Sequence, residues 1–156
     1  MRNECISIAL QEYGVTEKKG AAHHPRILMY FSDIGHSWVQ EDETAWCSCF
    51  ANWVAQKAGY IGSGKLDARS WLGVGKSIQN PVLGSIVVFW RERKSSWKGH
   101  VGFYIGHSED RSKVYCLGGN QNNQVNIRSY PAYRVLGYRE LDKKPEKSFR
   151  IPMAIV

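Results

Sequence analysis

The chain reads as an α+β domain, with helices in its N-terminal part and an antiparallel β-sheet in its C-terminal part. Three observations predict this. Apolar residues recur at helical spacing through three segments that end at Gly14, Gly35 and Gly59. From residue 82 the pattern changes to short β-branched and alternating runs separated by polar turns, and strands that follow helices as a block pack as α+β rather than as alternating units. The 156 residues contain no repeat, linker or low-complexity tract, so residues 1–156 are expected to form one domain with its own core.

The elements follow in order. Residues 3–13 place Ile6, Ala9, Leu10 and Tyr13 at helical spacing, and Gly14 supplies the stop. A polar stretch, residues 16–20, leads to Pro25, whose fixed φ suits a first helical turn. Ile27, Leu28, Tyr30 and Phe31 are the apolar residues of that second helix. The third helix spans residues 46–59. Phe50, Val54 and Lys57 form one row; Ala51, Ala55 and Ala58 form another that lets the helix sit close against a sheet. Thr44 is its expected N-cap and Gly59 its C′ residue. A short helical piece is expected over residues 66–72. Strands are expected at 85–90, 99–106, 113–117, 125–129 and 133–139. In the second of these, His100, Gly102 and Tyr104 share one face and Val101, Phe103 and Ile105 the other. The apolar residues 151–156 are expected to pair at a sheet edge.

Composition excludes several classes. With 43% hydrophobic and 22% charged residues, the chain is too apolar to be disordered. Its most apolar stretch, Ile86-Val87-Val88-Phe89-Trp90, is far short of the ~18 residues that span a membrane. The start, Met1-Arg2-Asn3-Glu4-Cys5, has no apolar segment and an early acid, so a Sec-type signal peptide is not expected. The net charge of +7 favours an anionic partner: nucleic acid, an anionic membrane or a cell-wall polymer. A tract of five or more basic residues, the RNA-binding aromatic signature and zinc-finger spacing are all missing. Cys5, Cys47, Cys49 and Cys116 are irregularly spaced in a chain that needs no staple, so a disulfide framework is not expected. Cys47-Ser48-Cys49 is too tight for a zinc pair, and Cys5 and Cys116 read as buried small hydrophobes.

Three residues can carry chemistry together. At a helix N-terminus, unsatisfied amides and the helix dipole favour a thiolate, and the same amides can hold a developing oxyanion. Cys47 falls in the first turn of the third helix, and Cys49 lies about 200° round it. A nucleophilic thiol needs a base within reach, and the base needs an orienting group. His100 opens a strand after Gly99, so its ring is expected to face a helix packed on the sheet. Asn120 follows the next strand, after Gly118 and Gly119 have let the backbone come close. Antiparallel pairing puts Asn120 near the same end as His100. Taken singly, these read as an inert thiol, a loop-binding histidine and a turn residue. Their joint order and placement form a thiol-protease type of triad: Cys47, His100, Asn120.

These residues also carry a resemblance. Trp46-Cys47-Ser48-Cys49-Phe50 followed by Asn52-Trp53 resembles the nucleophile helix of the CHAP/NlpC superfamily of papain-like cysteine hydrolases. Gly99-His100-Val101-Gly102-Phe103-Tyr104 is similar to that superfamily's histidine strand. Leu117-Gly118-Gly119-Asn120-Gln121 resembles the third segment of a CHAP-like subfamily found in phage lysins and bacterial wall hydrolases. Weaker similarity at Pro25-Arg26-Ile27, Tyr130-Pro131-Ala132 and Val135-Leu136-Gly137-Tyr138 extends it over roughly residues 5–140. The resemblance implies a papain-like (CHAP/NlpC-type) single domain that cleaves an amide or peptide bond of peptidoglycan. It matches Cys47 to the nucleophile, His100 to the base and Asn120 to the orienting residue, with Gln121 the alternative third member. Cys49 stands where a small residue such as alanine is expected, and Ala45 where proline is common.

Other residues have lesser expected roles. Trp46, Trp97 and Gln121 are expected to bind substrate; Trp71 is a further groove candidate, and Trp53 reads as core. His23 and His24 are expected to cap or pack, and His36 and His107 to sit exposed in turns. Acidic residues upstream of the nucleophile bind calcium in some CHAP lysins, but the stretch containing Asp42 and Glu43 lacks the alternating oxygen ligands of a calcium loop. Neither a metal nor another cofactor is expected.

The expected function is that of a cysteine amidase or endopeptidase acting on the stem peptide or cross-bridge through a thioester, as a phage endolysin or secreted antibacterial effector. The alternative is a basic, non-catalytic module that binds anionic wall polymer or nucleic acid. The enzyme reading expects a monomer with peptidoglycan as its substrate, without nucleic acid or membrane insertion, and an immunity or inhibitor protein where it serves as an effector. It would be made in the cytoplasm and act in the periplasm or on the cell wall after holin release or type VI-like secretion.

Overall fold

The computed structural model describes residues 2–17, 24–37 and 45–145. Among these, three α-helices come first: α1 (Arg2–Gln11), α2 (Pro25–Asp33) and α3 (Cys47–Lys57). Six strands follow: β1 (Lys76–Ile78), β2 (Ile86–Trp90), β3 (Gly99–His107), β4 (Lys113–Gly118), β5 (Asn126–Pro131) and β6 (Val135–Glu140). They form one antiparallel sheet in the order β1-β6-β2-β3-β4-β5. Short 3-10 turns cover Ala68–Gly73 and Ala132–Arg134. The α+β expectation therefore holds. The strand β1 was not expected, and β6 inserts between it and β2.

The helix signals act as read. Gly14, at φ +92°, ends the α1 region and donates its amide to Val125 O. Pro25 lies in the first turn of α2, where the His24 ring accepts from the Arg26 amide as an N-cap. At the end of α3 the Tyr60 amide bonds Ala55 O and the Gly59 amide bonds Gln56 O, the paired contacts of a Schellman motif. The start of α3 differs. Its N-cap is Trp46, with no side-chain cap bond, while Thr44 lies outside the described residues. So does the tail 151–156.

Every side chain from Cys47 to Ala55 is buried, so α3 is a core helix with no solvent stripe over that stretch. Its neighbours are α1 and α2 on one side and β3 on the other. The carboxylate of Glu12 accepts from both Arg26 and the Tyr30 hydroxyl, tying α1 to α2. Val101 and Phe103 point into the helix-side core with Phe50, Val54 and Leu117. Tyr104 points to the opposite face with Val87, Phe89, Val114 and Cys116, so the alternation along β3 holds. All four cysteines are buried free thiols.

Candidate active site

The first turn of α3 is clamped from behind. Ser48 Oγ donates to Lys65 O at 2.6 Å and accepts from Trp71 Nε1 at 2.9 Å. The Asn52 amide donates to Lys65 O at 3.0 Å, and its carbonyl accepts from the Gly64 amide at 2.8 Å. These bonds hold the helix start, and hence Cys47, against residues 63–65. The Cys47 side of the turn meets β3. The pairing of β3 with β4 starts at Phe103–Leu117, and at the open end of that ladder the Val101 backbone lies near enough to the sulfur to favour its thiolate. Cys47 is only 7% exposed. Burial pushes its thiol pKa up; backbone hydrogen bonds at Val101 and Ser48 and the positive charge of Arg91 oppose that rise.

His100 lies immediately before Val101 on the same strand, 6% exposed. Its ring does not face the helix side as expected. It sits on the opposite face of the sheet, stacked on Tyr130 with centroids 5.1 Å apart and beside Phe89 at 6.3 Å. The registers Cys116–Arg128 and Val114–Tyr130 put Arg128 and Tyr130 of β5 on that same face. Burial pulls the imidazole pKa down to about 4; the Gln121 hydrogen bond opposes this, and the charges of Arg91 and Arg128 reinforce it. A raised thiol and a lowered imidazole both favour the neutral pair at rest.

The group that orients His100 is Gln121, not Asn120. His100 Nε2 lies 2.9 Å from Gln121 Oε1. The Gln121 NH2 group donates to Cys116 O at 3.1 Å, Asn126 O at 2.8 Å and Asn126 Oδ1 at 3.0 Å. Two backbone carbonyls on one end of the amide decide which end is nitrogen. The oxygen must then face the ring, so Nε2 must carry the proton and Nδ1 keeps its lone pair. Asn120 adopts a left-handed φ of +56°, and its side chain makes no hydrogen bond among the described residues. It lines the groove instead. Gly119 explains the tight loop: a Cβ there would come within 2.7 Å of both Phe50 and Trp46.

His100 opens onto a groove of about 560 Å³. Asn120 and Tyr130 line it, together with three arginines, Arg91, Arg128 and Arg134. None of the three pairs with a carboxylate among the described residues.

A thiol at a helix start and, on the strand that meets that helix, an imidazole of fixed tautomer backed by a neutral amide are the groups that acyl transfer uses. Comparison with protein families matches the CHAP domain over residues 39–120, just over half of the chain, including both Cys47 and His100. The chain belongs to the CHAP family. CHAP domains are generally hydrolases that act on peptidoglycan. Gln121 lies one residue past the matched segment of this CHAP chain. No curated protein matches it.

The CHAP fold leaves other expected binding residues elsewhere. Trp46 is fully buried, packed on Tyr30 and Phe50 with its Nε1 donating to Glu17, so it is core and not a substrate contact. Gln121 lines the groove but is 1% exposed, with both ends of its amide engaged by His100, Cys116 and Asn126. Trp71 is buried behind Ser48, and Trp53 is core as read. Trp97 is 74% exposed, on a loop whose carbonyls at Arg93, Lys94 and Lys98 accept from Arg69, but it does not line the groove. His107 ends β3 and accepts or shares a proton with the Tyr104 hydroxyl rather than sitting in a turn. His36 is half-buried against Gly64 O. Among the described residues no group of acids, histidines and cysteines could hold a metal ion; Asp42, Glu43 and His23 lie outside them. The arginines and Tyr130 escaped the sequence reading. Their signal is alternation along β5, which shows that Arg128 and Tyr130 share a face but not which face His100 would occupy.

Proposed function

We propose that this CHAP protein is a cysteine amidase or endopeptidase that cleaves an amide bond in the peptidoglycan stem peptide or cross-bridge. The observation that carries this reading is the imidazole held by Gln121 with its free Nδ1 lone pair, on the segment that meets the Cys47 sulfur. His100 takes the thiol proton as the sulfur attacks the scissile carbonyl carbon. The tetrahedral oxyanion forms beside the Cys47 amide at the start of α3. The C–N bond then breaks, and His100 returns the proton to the leaving amine. Water, deprotonated by the same ring, hydrolyses the thioester and releases a carboxylic acid and the free thiol. Burial of both groups supports general-base activation of a thiol rather than a standing ion pair. The basic surface suits an anionic wall polymer, in the role of a phage lysin or a delivered antibacterial effector.

The test is clearing of purified peptidoglycan by variants. Cys47→Ala and His100→Ala are each expected to remove nearly all turnover with unchanged circular dichroism. Full activity in a folded Cys47→Ala protein would sink the proposal.

A further inference from the structure

Three arginines line the groove beside His100. Arg91 follows β2, Arg128 lies within β5 and Arg134 closes the turn before β6. Among the described residues they have no acidic partner, and no aspartate or glutamate lines the groove. Guanidinium groups stay protonated, so the site cannot relieve the repulsion by losing charge. Arg134 lies over the Trp90 ring at 5.0 Å, and its Nε is buried with no hydrogen-bond partner among the described residues. A buried donor of this kind is destabilising until an acceptor arrives. Arg91 and Arg128 are close enough to act on the imidazole electrostatically. The reaction turns that imidazole into a cation. Arg91 and Arg128 oppose the step unless an anion sits beside them.

We propose that the groove is a carboxylate-recognition site, in which Arg128 and Arg134, with Arg91, hold a free carboxylate of the substrate peptide beside the scissile amide. The proposal rests on the hydrolase reading above and narrows its substrate to uncapped acidic stems. Planar guanidinium forks match a carboxylate with two parallel hydrogen bonds, which a carboxamide cannot reproduce. The bound anion also offsets the positive field around His100. A stem whose carboxylates are amidated is therefore a poor substrate.

Calorimetry with the Cys47→Ala protein separates the possibilities. The probes are the synthetic peptide L-Ala-γ-D-Glu-L-Lys-D-Ala as the free acid and the same peptide with both carboxyls as carboxamides. The acid should bind roughly 10- to 100-fold tighter. Arg128→Gln and Arg134→Gln should each remove most of that preference. Arg128→Lys, which keeps the charge and loses the fork, should fall between. Lys76→Gln removes one charge on β1, away from the groove, and should leave the preference intact. Equal binding of the two peptides, or a preference that survives both glutamine variants, overturns the carboxylate site. Wild-type turnover is read in parallel. Cleavage of acid and amide alike overturns the site and leaves the hydrolase standing. Acid-selective binding without cleavage of either peptide or of peptidoglycan supports the site and overturns the hydrolase.

Discussion

Gln121 determines which imidazole nitrogen is available for chemistry. Its amide is anchored by carbonyl acceptors at Cys116 and Asn126, and its oxygen receives the His100 Nε2 proton. Gln121→Ala should therefore lower kcat by about 10- to 100-fold, the equivalent of losing ~1–3 kcal/mol of a buried hydrogen bond. Gln121→Glu should not rescue it, because a second carboxylate oxygen would face the Cys116 and Asn126 carbonyls. A Gln121→Ala enzyme with wild-type kcat would remove Gln121 from the mechanism. The pH profile reads the same site. A neutral His100 must accept the thiol proton, so the acid limb of kcat/KM should fall near pH 4, where the free imidazole titrates under burial and the Arg91 and Arg128 charges. An acid limb at or above pH 6.5 would mean that burial and the arginine charges do not hold the imidazole neutral. The places of Cys47 at a helix start and of His100 at a strand start were legible in the sequence because local patterns mark both. Asn120 and Gln121 follow the same glycines, and no local pattern separates them. The left-handed turn at Asn120, which sends the next side chain beneath the ring, depends on packing against Phe50 and Trp46.

At the scale of elements, α3 works because its first turn is fixed on both sides. Ser48, Asn52 and Trp71 hold it from the loop side, and β3 holds it at the thiol. Ser48→Ala removes a bond to Lys65 O and leaves the buried Trp71 Nε1 without its acceptor. The expected loss is about 1–3 kcal/mol in urea unfolding, with activity falling further than stability because Cys47 moves with the turn. Gly102 plays the matching part in β3: a Cβ there would meet Cys116 Sγ at 2.3 Å. Gly102→Ala is expected to destabilise by about 1–3 kcal/mol through overpacking, measured by the same unfolding curves. The helix ends were readable from Pro25, Gly35 and Gly59, since caps are local chemistry. The strand β1 was not, because its three residues, Lys76–Ile78, show no alternation and gain their register only from β6.

For the molecule as a whole, sheet order is the least local property. The last strand lies between the first two because Val87 pairs with Tyr138 and Ser77 with Arg139, contacts across many residues that no periodicity encodes. The division into helices and then strands was legible; this insertion was not. Stability against acid follows from the same burial that sets the site. The His100 pKa is about 4 in the fold against 6.5 for the free side chain, so the unfolded chain takes up the proton first as pH falls. That contribution, about 3 kcal/mol, is complete above pH 6.5 and is lost as pH falls from 6.5 to 4. Urea unfolding of wild type and His100→Gln across that window should show the variant with the shallower pH dependence. Equal slopes would mean that the ring is solvated in the fold.

The most direct test of the central claim is mass spectrometry of purified peptidoglycan after incubation with wild type and with Cys47→Ala. The account predicts that wild type releases defined fragments, whose masses name the severed amide bond, and that the variant releases none. Fragments from both proteins, or from neither while both bind the polymer, would contradict it.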